Sequence, residues 1–245
     1  MHEDGYFDER VAARCDQTYD YQAEVDVVEP MVELIAELAG DGRALELGIG
    51  TGRIALPLAR RGVPVHGIEL SRAMADRLKA KPGAEAVGVT IGAFSSTRVD
   101  GTFRIAYLVA NTIMNLTSQE AQVACFRNVA AHLEAGGCFL IEVLVPELRR
   151  LTAGETHLVF SADERHWGID EYDVARQGLV SHHFLEREGD FERWSVPFRY
   201  VWPSELDLMA QLAGLRLRNR WSGWGHEPFT SESVKHVSVW EKPIG

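Results

Sequence analysis

Residues 44–53, Ala44-Leu45-Glu46-Leu47-Gly48-Ile49-Gly50-Thr51-Gly52-Arg53, decide how this chain is read. A short apolar run with strand character leads straight into glycines at alternate positions. Glycine lets the backbone turn sharply and approach a ligand with no Cβ in the way. The amides of the helix that follows then point at that ligand. A dinucleotide fingerprint would want its third glycine at position 53, where the chain has Arg53. That argues against a nicotinamide-dependent oxidoreductase. The spacing is Gly-x-Gly-x-Gly with the acidic Glu46 inside the preceding strand, which suits a ligand without a pyrophosphate.

Outward from this turn, Val63 to Leu70 reads as a second strand ending in Ile68-Glu69-Leu70, with Glu69 lying 17 residues past Gly52. A carboxylate at the carboxyl end of that strand can accept hydrogen bonds from both hydroxyls of a ribose. The competing reading is an ordinary solvated acid at a strand end. Glu46, flanked by Leu45 and Leu47, is expected near the sheet's edge. There it either orients a ligand's ammonium group, directly or through water, or serves only as a partner for helix amides.

The flanking pattern repeats strand and helix. Val25, Val28, Val32, Ile35 and Leu38 mark one apolar helical face, interrupted by Pro30, so a kink or two abutting helices are expected. A helix follows the glycine turn through Arg60, and Ser71 caps another over Arg72 to Ala80. Ala86 to Ile91 and Phe103 to Ala110 read as the third and fourth strands. Ser118 caps a helix through Leu133 that Gly136-Gly137 ends, and Cys138 to Val145 is the fifth strand. Such alternation means an α/β fold, a Rossmann-like, mostly parallel sheet with helices on both faces. After Pro146 the runs shorten, and Leu151 to Tyr200 reads as an antiparallel β insertion with a turn at Glu188-Gly189-Asp190. Pro203 then opens a helix, and Leu215 to Arg220 and Val234 to Trp240 return to the main sheet. The expected division is residues 1–40 as an N-terminal helical lid, 41–148 as the ligand-binding core, 149–202 as the insertion, and 203–245 as the elements completing the sheet.

Composition narrows the function classes. The 245 residues are 46% hydrophobic and 25% charged, a globular mixture that excludes a disordered or disulfide-scaffold chain. The net charge of −11, with no cationic patch beyond the pairs Arg60-Arg61 and Arg149-Arg150, argues against nucleic acid. Cys15, Cys125 and Cys138 are odd in number and widely spaced, as in a reduced, cytoplasmic protein. The nine histidines show no zinc spacing, so no metal is expected. No signal-peptide pattern opens the chain and no apolar run reaches the ~20 residues a bilayer span needs, so no membrane partner is expected.

With these residues in place the chain resembles the class I S-adenosylmethionine-dependent methyltransferases. The resemblance rests on Glu46-Leu-Gly-Ile-Gly-Thr-Gly52, on Glu69-Leu-Ser, and on Leu-Glu-Ala-Gly-Gly137 leading into the fifth strand. It covers about residues 43–145 and 203–242, and the insertion is similar to that of small-molecule N-methyltransferases. It implies a seven-stranded sheet whose last strand, Val234 to Trp240, runs antiparallel, and S-adenosyl-L-methionine as cofactor. Gly48, Gly50 and Gly52 would cradle the methionine part, and Glu69 would hold the ribose. The family often carries Gly-Asp after the third strand, the acid contacting the adenine amino group; here the residues are Gly92-Ala93-Phe94. Adenine recognition is then left to the backbone of Ala93 and the Phe94 amide, beside Leu70 and Val109. The lost bond motivates a second reading, a catalytically silent module that binds the cofactor or a partner protein.

The methyl acceptor is expected beyond the carboxyl end of the fourth strand. Asn111 is the polar candidate there, either orienting an acceptor amine or hydroxyl or simply forming a turn; Asn115 belongs with the turn. Tyr19, with Arg14 and Tyr21 nearby, is the choice for an N-terminal tyrosine closing over the cofactor. In the insertion, Trp167, Tyr172, His182, His183 and Trp194 are candidates to line a lid, with His182 as general base. Trp221, Trp224 and His226 read as a hydrophobic plug. With no clear base, a nitrogen or an acidic oxygen of a small molecule is favoured over an alcohol. Edge strands of the insertion offer a route to a homodimer.

Overall fold

The computed structural model describes residues 9, 11–12, 21–187 and 190–244. Tyr19 and Arg14 lie outside the described residues, and so does Cys15. Helix α1 (Tyr21–Ala39) runs unbroken through Pro30, where a kink or a split was expected. Burial of Met31, Val32, Leu34, Ile35 and Ala39 against the sheet outweighs the one backbone donor that proline removes.

Each strand of the first half is followed by a crossover. Strand β1 (Ala44–Leu47) leads through the glycine turn into the short α2 (Ala55–Arg60). Next come β2 (Val65–Glu69), α3 (Arg72–Lys79), β3 (Val87–Ile91) and β4 (Phe103–Leu108). The Ser71 hydroxyl caps α3 by accepting from the Met74 N–H at 3.2 Å, as its position predicts. Helix α4 (Gln119–His132) is capped in the same way by Ser118, which accepts from the Ala121 N–H. It stops at His132, earlier than the glycine pair suggested, because β5 (Leu133–Leu144) begins at once: Leu133 pairs with Phe103. Gly136 and Gly137 therefore sit within the strand rather than ending the helix.

Four antiparallel strands follow: β6 (His157–Ala162), β7 (His166–Asp173), β8 (Gly178–Arg187) and β9 (Asp190–Arg199), paired in sequence order. Helix α5 (Pro203–Leu212), β10 (Arg216–Trp221) and β11 (Lys235–Glu241) complete the main sheet. Its strand order is β10-β11-β5-β4-β1-β2-β3. β11 is antiparallel to both its neighbours while the β1 to β5 pairings are parallel. This is the α/β, Rossmann-like sheet with an antiparallel last strand, plus a separate antiparallel sheet, that the sequence predicts.

The base of the small sheet is joined to the main one by a buried polar cluster. Arg199, at the end of β9, donates to Gln122 of α4, to Gln177 and to Glu205 of α5, the last at 2.7 Å. Gln122 returns a bond to the Arg199 carbonyl at 3.1 Å. Cys125 and Cys138 are buried and unbridged. No helix among the described residues is long and apolar enough to cross a membrane, and none of their His, Cys, Asp and Glu side chains form a group that could hold a metal ion.

Candidate active site

The chain changes direction where β1 ends between β4 and β2, and the strand order there leaves a crevice at the carboxyl ends. Gly48, Gly50 and Gly52 all have positive φ, of 71°, 56° and 84°. The three do not serve one purpose. A Cβ on Gly48 would meet the Thr112 methyl at 2.9 Å, and one on Gly52 would meet Leu78 at 3.0 Å. A Cβ on Gly50 would meet nothing within 4 Å, so that position keeps open space on the crevice side.

Glu69 fastens this turn. One carboxylate oxygen accepts from the Gly50 N–H and the other from the Ser71 N–H, both at 2.8 Å, and the side chain is 6% exposed. It is therefore not a solvated acid. Lys81 braces the turn from below, its ammonium donating to the Thr51 carbonyl at 2.9 Å.

Beneath the turn, Glu46 is buried in the middle of the sheet and not near its edge, because β1 has a neighbour on each side. The Tyr107 hydroxyl donates to it at 2.9 Å. Burial pushes the Glu46 carboxyl up to about 8, against the opposing pull of the Tyr107 hydroxyl and Arg53.

These groups open onto one cavity of about 940 Å³, toward the upper end of the range for small-molecule sites. Glu46, Gly48, Gly50, Gly52, Glu69, Leu70, Ala93, Phe94, Val109 and Asn111 all line it, as expected from the sequence. At the Ala93 turn the carbonyl already accepts from the Ser96 and Thr97 N–H groups, at 3.0 and 2.8 Å. The Phe94 carbonyl accepts from the Asn128 amide at 2.8 Å. The carbonyls of this turn are thus engaged within the protein.

The geometry places two of the expected residues differently from each other. Asn111 lines the cavity, but its Oδ1 accepts from the Leu144 N–H at 2.8 Å and its φ is 61°. It is the turn-forming alternative that these bonds describe, and that oxygen is committed to β5. Ala110, next to it, is also left-handed, at φ 54°, and its N–H donates to the Glu142 carboxylate at 2.7 Å. His182 does not line the cavity. Its ring is held on the small sheet by the Ser195 hydroxyl at 2.8 Å and by Glu171 at 3.3 Å. Trp167, His183 and Trp194 are likewise absent from the lining, and Tyr172 is part of the core. The rings of Trp221 and His226 pack at 4.3 Å, and Trp221 and Trp224 close onto the core as a plug. What the small sheet contributes instead is Pro197 and Phe198, with Arg53, Lys81 and Thr112 as further lining residues missed in the sequence. Arg53 and Thr51 stood inside the quoted motif; nothing local marked Lys81 or Phe198.

A family profile described as a methyltransferase domain matches residues 44–137. Over 88% of this chain and 89% of the other, the structure of the CcbJ methyltransferase from Streptomyces caelestis is 34% identical in sequence, with a TM-score of 0.80. The chain belongs to the class I S-adenosylmethionine-dependent methyltransferases. The methyltransferase also shares its fold with an S-adenosylmethionine-dependent methyltransferase from Clostridium acetobutylicum, at 14% identity and TM-score 0.73 over 95% of each chain. A third similar structure is an S-adenosylmethionine-bound amino pentose methyltransferase of calicheamicin biosynthesis from Micromonospora echinaspora. It is 20% identical, covers 99% of this chain and 100% of its own, and has a TM-score of 0.67. No curated protein matches the methyltransferase in sequence. Its cofactor is S-adenosylmethionine, and the crevice fits that molecule: open space above Gly50, a buried carboxylate at the end of β2, and a cavity of ligand size.

Proposed function

We propose that this methyltransferase transfers the methyl group of S-adenosylmethionine to an amine nitrogen of a small molecule. The observation that carries the reading is the chemistry of the cavity wall. Among the described residues that line it there is no His, Asp, Tyr or Cys. Its carboxylates are engaged: Glu69 with two amides, Glu46 with Tyr107, and Glu29 with Arg61. A hydroxyl acceptor needs a base in the transition state, whereas an amine needs only to arrive neutral.

When bound, the cofactor supplies a methyl group already activated on a sulfonium sulfur. The protein's task is then to hold the acceptor nitrogen in line and keep water away. In this reading Glu69 takes the ribose hydroxyls, Glu46 faces the ammonium, and Leu70, Ala93 and Phe94 bracket the adenine beside Val109. The acceptor lies between the Ala110–Leu116 turn and the wall of Pro197 and Phe198, under the lid formed by residues 149–202. The amino pentose methyltransferase named above, of the same fold, is consistent with an amine-bearing acceptor.

The test has two stages. Calorimetry with S-adenosylmethionine and its demethylated product is expected to show binding, and its absence at millimolar ligand overturns the reading. Transfer of labelled methyl to a panel of primary and secondary amines, each matched by the corresponding alcohol, is expected to mark amines alone. Labelled alcohols with unlabelled amines refute the choice of nitrogen, and binding with no transfer to any acceptor returns the silent-module reading.

A further inference from the structure

Tyr107 and Glu46 face each other across the β1–β4 pair, in direct register. The phenol is fully buried and the carboxyl is 4% exposed, yet only Glu46 lines the cavity. Tyr107 reaches the polar part of the site through its hydrogen bond to one oxygen of Glu46. A neutral apolar core would take phenylalanine at this position without loss, since a buried phenol must find a partner. The hydroxyl instead fixes which way a cavity-lining carboxyl is turned.

The groups around Glu46 come from every side. Tyr107 donates from β4, the Ala55 N–H from the start of α2, and Arg53 lies above in the turn. Glu69 of β2 repels it, and Glu29 of α1 lines the same cavity. The balance leaves the carboxyl at about 8, burial being the largest cause. Tyr107 is held well above the ordinary phenol range by its burial and by Glu46, so it stays a donor throughout.

We propose that Tyr107 is a positioning residue for cofactor capture: its hydroxyl holds the Glu46 carboxyl toward the cavity, and Glu46 releases its proton to solvent as the cofactor's α-ammonium docks against it. This rests on the reading of Glu46 as the ammonium's partner. The balance is simple: carboxylic acid plus ammonium becomes a carboxylate–ammonium pair and one free proton. No bond of the cofactor changes.

The test is calorimetric titration with the demethylated cofactor, which carries the same α-ammonium but transfers nothing. It is run at about pH 7 and below, where an α-amino group holds its proton. Repeating it in buffers of different ionisation enthalpy counts the protons released. The wild-type protein is expected to release close to one proton per ligand and to bind more tightly as pH rises. In Tyr107→Phe the donor favouring the carboxylate is gone, so Glu46 holds its proton harder. Binding is expected to weaken about tenfold, the scale of one hydrogen bond to a charged group, and the pH profile to move upward. Glu46→Gln is expected to bind weakly, release no proton and show no pH dependence. A wild-type protein that releases no proton overturns the proposal without any variant. If Glu46→Gln binds like the wild type, the ammonium reading falls as well. If it weakens while Tyr107→Phe keeps the wild-type affinity and profile, only the role of Tyr107 falls.

Discussion

Gly50→Ala separates the demands of the fold from those of the ligand. Gly50 has φ 56°, and a Cβ there meets no atom within 4 Å, so the folded protein objects only through the left-handed backbone. That costs an alanine about 1–2 kcal/mol. For a chain of this size the melting temperature should fall by roughly 2–8 °C. The Gly50 N–H still reaches Glu69, since the substitution leaves the backbone donor in place. The new methyl group, however, projects into the open space at the turn that is proposed to hold the cofactor. Affinity for S-adenosylmethionine should drop by tenfold or more, about 1.4 kcal/mol at least. Gly52→Ala is the control: its Cβ meets Leu78 at 3.0 Å and Leu56 at 3.2 Å. Overpacking adds about 1–3 kcal/mol to its backbone strain, so it should be the less stable of the two. Differential scanning calorimetry and titration calorimetry on both variants give the two numbers. Wild-type cofactor affinity in Gly50→Ala, or instability equal to that of Gly52→Ala, would refute the assignment of open space to the ligand.

Glu69→Ala strands one buried and one half-buried N–H group, the buried one costing about 1–3 kcal/mol, so urea unfolding should show at least that loss together with loss of cofactor binding. Cofactor occupancy unchanged by that substitution would remove the ribose role altogether. The Glu46 carboxyl, raised from 4.5 to about 8, keeps its proton in the folded chain over a range where the unfolded chain has lost it. Its contribution to stability is thus complete below the lower value and declines as pH rises toward the upper one. The unfolding midpoint of Glu46→Gln should accordingly gain on that of the wild type between those two pH values, and a constant difference would show that Glu46 titrates normally. His182→Ala should leave kcat and KM for methyl transfer as they are; a fall in kcat with a shifted pH profile would reinstate it as a base.

What could be read in advance was what local pattern encodes. Glycines at 48, 50 and 52 after an apolar run announce a turn, and Glu69 at the next strand end follows from the spacing of a crossover. The parallel strands were legible because strands buried on both faces are written as continuous apolar runs, whereas the direction of the last strand came only from the family resemblance. The acceptor wall was not, because it depends on which faces meet. Phe198 reaches the cavity only through the way the small sheet sits on the main one, a relation of residues far apart in sequence. Lys81 reaches Thr51 across 30 residues for the same reason. His182 and Asn111 have polar atoms already held by partners the local sequence does not name: Ser195 and Glu171 for one, the Leu144 amide for the other. No property of a histidine or an asparagine in isolation foretells that its polar atoms are already engaged.

The Arg199 cluster bears on how the proposed acceptor flank is held. Phe198 is its immediate neighbour in the chain, so the aromatic that borders the cavity stands on a footing bolted to two helices of the main layer. If the acceptor binds on that flank as proposed, it meets a template fixed by these bonds, which it either matches or does not. Enlarging or shrinking the ring at position 198 would therefore recut the template, and leave its mounting untouched.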